Sequence, residues 1–439
     1  MDMEKNAMLG IQRRQRTALV LALFAIAALM PRFAIARDYN VRDYGAKGDG
    51  ETMDTTALQR TIDACAADGG GRVVLEEGSF LTGTLFLKTG VDLHIDASAT
   101  LLGSTNCADY VEASDIKSVN PRRVARGRAT CLVFADTAER IAISGRGTID
   151  CNGQAFVRER ENLTPWLAEH CRNERIPGLL SPPRVVFLAG CRNVMVADIT
   201  VVNQPSGWCF WINDCDTVLF DRVKIFGGMH NPNNDGIHIN CCRDVLVSNC
   251  HIETQDDCIV VRADYSMLPE KKDCERVSFM NCSLRSNCSC IRVSFMNDGV
   301  VRGCAFSNIF MHDSQNGLNL ELCPKEEWLR DKNRRIEKAT PSTVEDIVFS
   351  NIDMRRVDCP LRCVTGARPE IECVGIRDIR FENCHCREAV RHVFKGGEGN
   401  PLERFVFTNC TLPTEQPVSF ENCLDFSFDK KTFTVVENL

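Results

Sequence analysis

The sequence predicts an all-β solenoid, a right-handed parallel β-helix with an N-terminal capping helix, and three observations carry that expectation. From about residue 140 onward short apolar strands alternate with turns, a six-residue unit keeps returning, and one helical pattern precedes the repeats. The unit reads VSNCHI at 247, FMNCSL at 279, VRGCAF at 301, FSNIDM at 349, FENCHC at 381 and FTNCTL at 407, with weaker copies VADITV at 196 and FDRVKI at 220. Its third residue falls at 198, 222, 249, 281, 303, 351, 383 and 409, so the intervals are 24, 27, 32, 22, 48, 32 and 26. The 48 is read as two coils with one degenerate copy.

Stacking turns such positions into columns, because each coil lies about 4.8 Å above the one below. Asn249, Asn281, Asn351, Asn383 and Asn409 are expected to form an amide ladder. Cys250, Cys282, Cys304, Cys384 and Cys410 follow immediately and are expected to point inward as small apolar fillers, since no CxxC pair of zinc-site spacing occurs. The stretch DTTALQRTIDACAADGGG from 54 reads as the cap, with Asp54 as N-cap, Leu58, Ile62 and Cys65 on one face, and glycines after Asp68 to end it. The charged stretch at 325–338 interrupts the repeat and reads as a surface excursion from one coil.

The first residues carry RRQRT at 13–17, an apolar run from Ala18 to Met30 and the small-residue pattern Ala34-Ile35-Ala36. This reads as a secretory signal peptide over 1–36, followed by one domain over 37–439. A run of that length spans only about 20 Å of a roughly 30 Å hydrocarbon core, which argues against a membrane anchor. Removing 1–36 takes away five basic and two acidic side chains, moving the net charge from −7 to −10, which disfavours nonspecific nucleic-acid binding. The 25 cysteines are an odd number, so they cannot all pair within the chain.

Aligning the strands themselves gives DGIHI at 235, DCIVV at 257, SCIRV at 289 and NGLNL at 316. Asp235 and Asp257 become stacked neighbours. Ile237, Ile259, Ile291 and Leu318 form one inward column, and Ile239, Val261, Val293 and Leu320 the next. His238, Arg292 and Asn319 share one outward, exposed column, and Asn240, Arg262, Ser294 and Glu321 another. Asp235, Asp256 and Asp257 thus converge at one place. Like charges that close raise the proton affinity of at least one, which suits a general acid beside general bases. The alternative is that they are turn-forming aspartates.

The pair NNDG at 233 and QDDC at 255, with the opening YNVRDYGAKGDGETMDTTALQRTIDACA, resembles the polygalacturonases of glycoside hydrolase family 28, pectin lyase-like solenoids, over essentially the whole chain after residue 36. The resemblance implies an inverting hydrolase of a pectic polysaccharide or oligosaccharide, with rhamnogalacturonan and exo-acting variants included. It implies Asp256 as the acid that protonates the departing oxygen, and Asp235 and Asp257 as the groups that activate water. Two family motifs are altered. The family's GHG becomes NCS at 287–289, with Cys288 for the histidine, and its RIK becomes Asn319-Leu320-Glu321, which removes both cations that hold the sugar carboxylate. Arg262 and Arg292 face the same cleft, either to rebuild that anion site or to balance the aspartates. Trp208 lies one coil before Asp235, either against the sugar or in the core. His230 and His238 flank the first aspartate, as substrate contacts or as ordinary polar partners.

Two other readings fit the same fold: a β-helix lyase using calcium, and an inactive carbohydrate-binding β-helix. The NNDG and QDDC pair favours the hydrolase. The expected protein is an exported monomer, periplasmic or secreted, free of the membrane once the signal is cleaved. Its partner is a pectin-like polysaccharide or oligosaccharide, and it needs no cofactor and no metal.

Overall fold

The structure, a computed structural model, describes residues 37–111, 131–178, 184–265, 268–295, 299–322, 342–366 and 373–436. The signal peptide read over 1–36 and the excursion read over 325–338 lie outside these residues. Thirty-one strands belong to one continuous hydrogen-bonded system, and its strand pairings are parallel. Each coil crosses three faces before stacking on the last, and the architecture is the expected right-handed parallel β-helix.

The apolar columns form the core. Buried Phe279, Phe306, Phe349, Phe381 and Phe407, with exposed Phe428 at the end of the column, stack ring on ring with centroids 5.5, 4.9, 5.3, 4.8 and 5.0 Å apart, close to the rise from coil to coil. The asparagine ladder is also present. Asn281 donates to Asn249 at 3.2 Å, Asn308 to Asn281 at 3.2 Å, Asn351 to Asn308 at 2.9 Å, Asn383 to Asn351 at 2.9 Å and Asn409 to Asn383 at 2.7 Å. All six have φ between 52° and 57°. Asparagine tolerates this left-handed region better than other residues with a side chain, so one residue supplies both the bend and the ladder.

Asn308 corrects the sequence reading at two points. The copy of the repeat on this coil is FSNIFM at 306, so the ladder runs through Asn308 and not past Gly303. Ile309 aligns with Ile352 and then Cys384, whereas Cys304 aligns with Ile347, one column away from Cys250, Cys282, Cys384 and Cys410. Gly303 is left-handed too, but it belongs to a neighbouring bend. The interval of 48 therefore holds no extra degenerate coil between 303 and 351: Val300–Leu322 pairs directly with Ser342–Thr365. All five cysteines are buried, and no described cysteine forms a disulfide.

Helix α1 (Thr55–Ala67) covers the N-terminal end, burying Leu58, Thr61, Ile62 and Cys65. Its predicted cap is a correction. The Asp54 carboxylate accepts from the Lys47 and Gly48 amides at 2.7 and 2.9 Å and makes no capping bond to the helix. The unpaired amides of the preceding turn compete for the same acceptor. Among the described residues no helix is long and apolar enough to cross a membrane.

Candidate active site

Five strands of one face build the site: β1 (Trp208–Asn213), β2 (Ile237–Asn240), β3 (Ile259–Arg262), β4 (Ser289–Val293) and β5 (Val300–Leu322). Their register is the one read from the sequence: Ile237, Ile259, Ile291 and Leu318 align, and so do Ile239, Val261, Val293 and Leu320. The outward column runs Trp211, His238, Val260, Arg292, Asn319.

The turn before β2 shows why NNDG has that composition. Asn234 is fully buried and its Oδ1 accepts from the Gln255 and Asp256 amides at 2.8 and 3.4 Å, fastening the first aspartate turn to the second. A Cβ on Gly236 would lie 2.3 Å from the Cys258 carbonyl oxygen, so only glycine allows the coils to close there. Asn233, left-handed at φ 55°, donates from Nδ2 to Asp256 Oδ2 at 3.2 Å. The Gly236 amide donates to the Asp257 carbonyl at 2.9 Å, which stacks Asp235 on Asp257.

The three carboxylates have different surroundings. Asp235 is 4% exposed, with Oδ2 2.8 Å from His238 Nε2. Burial, then the nearby Asp257, raises its pKa well above the usual carboxylate range. His238 is pushed well below the usual imidazole range by burial and by Arg262, and its ring stacks on Trp208 at 3.9 Å. Asp257 is 5% exposed and its Oδ2 accepts from Arg292 Nε at 2.5 Å. Asp256 is partly exposed, and burial of its carboxyl followed by Asp235 and Asp257 raises its pKa well above the ordinary value. Both Asp235 Oδ1 and Asp257 Oδ1 are buried without a hydrogen-bond partner.

The outward columns depart from expectation in one respect. His238, Asn240, Arg292, Asn319 and Glu321 are buried, not exposed, because they cover one another. Arg292 bridges Asp257 and, through Nη1 at 2.9 Å, Glu321. Its guanidinium and that of Arg262 lie over the Phe295 ring at 5.3 and 5.0 Å. Asn319 donates to Ser289 Oγ at 3.2 Å. Ser294 adopts φ 65° and leaves the strand after Val293. On the near side Phe187, Trp211 and Arg184 stack, with 4.1 Å between the rings and 3.5 Å from Arg184 Cζ to Trp211.

Trp208 therefore joins the carboxylates, and so do Arg262, Arg292, Asn319 and Glu321. His230 stands apart. It lies beside a second wall, with His170, Arg172 and Arg285 as ionic neighbours, and burial lowers its pKa. That wall is an excursion holding helix α2 (Pro165–His170) and an antiparallel hairpin of Val157–Glu159 with Asn173–Arg175. Asn173 Nδ2 donates to Asn231 Oδ1 at 2.8 Å, Arg175 Nε to Ser206 Oγ at 2.7 Å, and Asn287 Nδ2 to the His170 carbonyl at 3.1 Å. Sequence reading missed this wall because it carries no repeat and its helix has six residues. Arg362, 3.6 Å from Glu321, was missed as well, although its alignment with Asn319 follows from the coil period. Asp256, Asp257 and Cys288 bring a ligand atom each within 4.8 Å of one another, a cluster the spacing of the cysteines does not reveal.

Comparison with known proteins places the chain in a family. The chain is 24% identical over 454 residues to an exo-poly-alpha-D-galacturonosidase of Dickeya chrysanthemi, covering 91% of this chain and 71% of that protein. In fold it is similar to a hyperthermoactive exopolygalacturonase from Thermotoga maritima, with TM-score 0.62 and 21% identity over 86% of this chain and 87% of that one. A family 28 exopolygalacturonase of Yersinia enterocolitica aligns with TM-score 0.63 and 20% identity over 91% and 77%. The model of glycosyl hydrolases family 28 matches residues 73–423, well over half of the sequence, and the chain belongs to that family.

Proposed function

We propose that this glycosidase removes sugars from the end of a galacturonate-containing pectic chain by a single inverting displacement. One observation carries the reading: Asp235 Oδ1 and Asp257 Oδ1, on adjacent coils, are buried acceptors with no hydrogen-bond partner, beside a third, more accessible carboxyl, Asp256. Buried acceptors without partners call for a polar occupant, and an attacking water fits two of them. Asp256 is the general acid, because it is the most accessible of the three and so the one placed to reach the departing oxygen; Asp235 shares its raised proton affinity, so position and not affinity separates the two roles. Asp235 and Asp257 activate the water, with His238 orienting the first and Arg292 holding the second.

Recognition of a sugar carboxylate is assigned to Arg262, which stands at the cleft over Phe295 with Asp264 3.7 Å away, and to Arg362 beyond Glu321, since Arg292 is held between two buried carboxylates. Trp208 and Asn319 line the same cleft, and His230 meets the substrate through the α2 wall. The names of the relatives support the exo mode, and the α2 wall standing against the aspartate turns supports it too, since it limits the cleft on that side. Export, read from residues 1–36, belongs to the same proposal. Calcium-dependent elimination is disfavoured, since Arg292, the arginine nearest the carboxylates, is locked in ion pairs.

The test is turnover of galacturonan and rhamnogalacturonan oligosaccharides, followed by reducing-end release and by nuclear magnetic resonance of the newborn anomer. Single-sugar release with inverted configuration is expected, and Asp256→Asn should cut it by about 10²- to 10⁴-fold. An unsaturated, ultraviolet-absorbing product would overturn the hydrolase reading. Release of internal fragments would overturn the exo mode. Loss of the Arg and Lys positions at Asn319 and Glu321 removes contacts worth roughly 1.5–3 kcal/mol each, so plain galacturonan is expected to be the poorer substrate. Arg262→Ala should then raise KM on whichever acidic oligosaccharide is cleaved.

A further inference from the structure

We propose that Asp256, Asp257 and Cys288 form a binding site for a thiophilic divalent cation, zinc in the first instance, and that occupancy switches the enzyme off. Two independent observations meet here. One carboxylate oxygen from each aspartate and the Cys288 sulfur lie within 4.8 Å of one another, and a side-chain adjustment of about 1 Å brings all three to the Zn–O and Zn–S distances of roughly 2.0–2.3 Å around one ion. In addition, Asp257, only 5% exposed, has Oδ2 held by Arg292 and a buried Oδ1 that accepts from no nitrogen or oxygen donor, with the Cys288 thiol facing the carboxylate, so a ligand oxygen stands beside the sulfur without breaking the ion pair. A carboxylate oxygen pair plus a sulfur is a borderline-soft donor set, which selects zinc, cadmium or cobalt over magnesium and calcium.

Cys288 differs from nearly all other cysteines of the fold. The described cysteines are buried except Cys107, Cys288 and Cys423, and of these only Cys288 stands beside carboxylates of the cleft. Its backbone amide donates to Ser286 Oγ at 2.8 Å, and Arg292 Nη2 lies 3.9 Å from its sulfur. When the ion binds, the thiol proton and any proton on Asp256 leave to solvent, the sulfur–metal bond forms, and no electrons are transferred. Two carboxylates and a thiolate against one guanidinium leave a net charge of −2, which a dication neutralises. The ion would hold the lone pairs of the general acid and of one base, so inhibition follows from occupancy alone.

The inference uses the catalytic roles proposed above only for its effect on turnover; binding is tested without them. Cobalt(II) is added to the full chain and thiolate-to-cobalt charge-transfer absorption is read in the near ultraviolet. One equivalent should saturate the band. Cys288→Ser should remove it and weaken zinc binding by at least about tenfold. Asp256→Asn, read by the same band and not by activity, should weaken cobalt binding as well. In the activity arm zinc should suppress turnover and a chelator should restore it, magnesium and calcium should have no effect, and the ratio of zinc-free to zinc-treated activity should fall toward one in Cys288→Ser. If that variant does not fold by circular dichroism, Cys288→Ala takes its place, and the Asp256→Asn spectrum stands by itself. A cobalt band that persists without Cys288, or zinc inhibition of equal strength in the variant, overturns the proposal. Cobalt binding in a protein that hydrolyses no glycoside would uphold the site and overturn only the functional reading.

Discussion

Asp235 and Asp256 both hold protons more tightly in the fold than in the unfolded chain, and this has a sign. Between the ordinary carboxylate value of about 4 and the raised folded value, the native state binds more protons than the unfolded one, so stability falls as pH rises through that window. Asp256→Asn is expected to flatten this slope and to keep or raise the melting temperature at neutral pH, while cutting turnover by about 10²- to 10⁴-fold. Melting curves from about pH 4 to about pH 8 decide it, and an unchanged slope would sink the assignment. Arg292→Ala should behave in the opposite way. It strands the buried Asp257 carboxylate and takes from Glu321 one of its two arginine partners, at a cost of roughly 3–5 kcal/mol, which denaturant titration would measure. At this scale the sequence showed which residues meet, because stacking fixes register. It did not show that Arg292 is saturated by two carboxylates, or that His238 and Asn319 are covered, since burial of an outward face depends on side chains from several coils at once.

The asparagine column shows where reading by element worked and where it slipped. Its period was legible, yet Gly303 was taken for a ladder position because VRGCAF imitates the unit five residues ahead of FSNIFM. Glycine and asparagine both serve left-handed bends, and a sequence does not say which of two neighbouring bends a residue occupies. The two contributions of Asn351 can be separated. Asn351→Gly keeps the backbone conformation and loses the amide bonds to Asn308 and Asn383, about 1 kcal/mol; Asn351→Ala also adds left-handed strain of roughly 1–2 kcal/mol. Equal destabilisation by the two changes, measured by urea unfolding, would remove the bend from the account. Helix α1 was legible from its apolar face, and its cap was not, because Asp54 serves a turn that precedes it.

At the largest scale the repeat stacks one coil on the next, and what differs from one such stack to another is what the turns carry. The α2 wall is such an addition, and on it Trp166 is 47% exposed with its ring stacked on His170 at 5.1 Å and 10°. An indole held flat in this way offers an exposed apolar face of the kind that packs on a sugar ring. Trp166→Ala is expected to raise KM for longer oligosaccharides by about threefold to tenfold, the worth of one aromatic contact, with kcat unchanged on the shortest substrate. Equal KM values for all lengths would leave Trp166 without a role in binding.

The sulfur atoms have one more consequence, and it concerns time. Thiols run from Cys65 on the capping helix to Cys423 near the far end, most of them sealed inside and none of those described joined to another. Each is open to a reagent only until the coil around it closes. The chain therefore carries a clock in every few turns of the spiral: brief alkylation at successive moments of refolding, read by mass, would date the closure of each coil. Winding from the α1 end would silence the thiols in the order of their numbers, and closure starting at a central nucleus would silence the middle ones first.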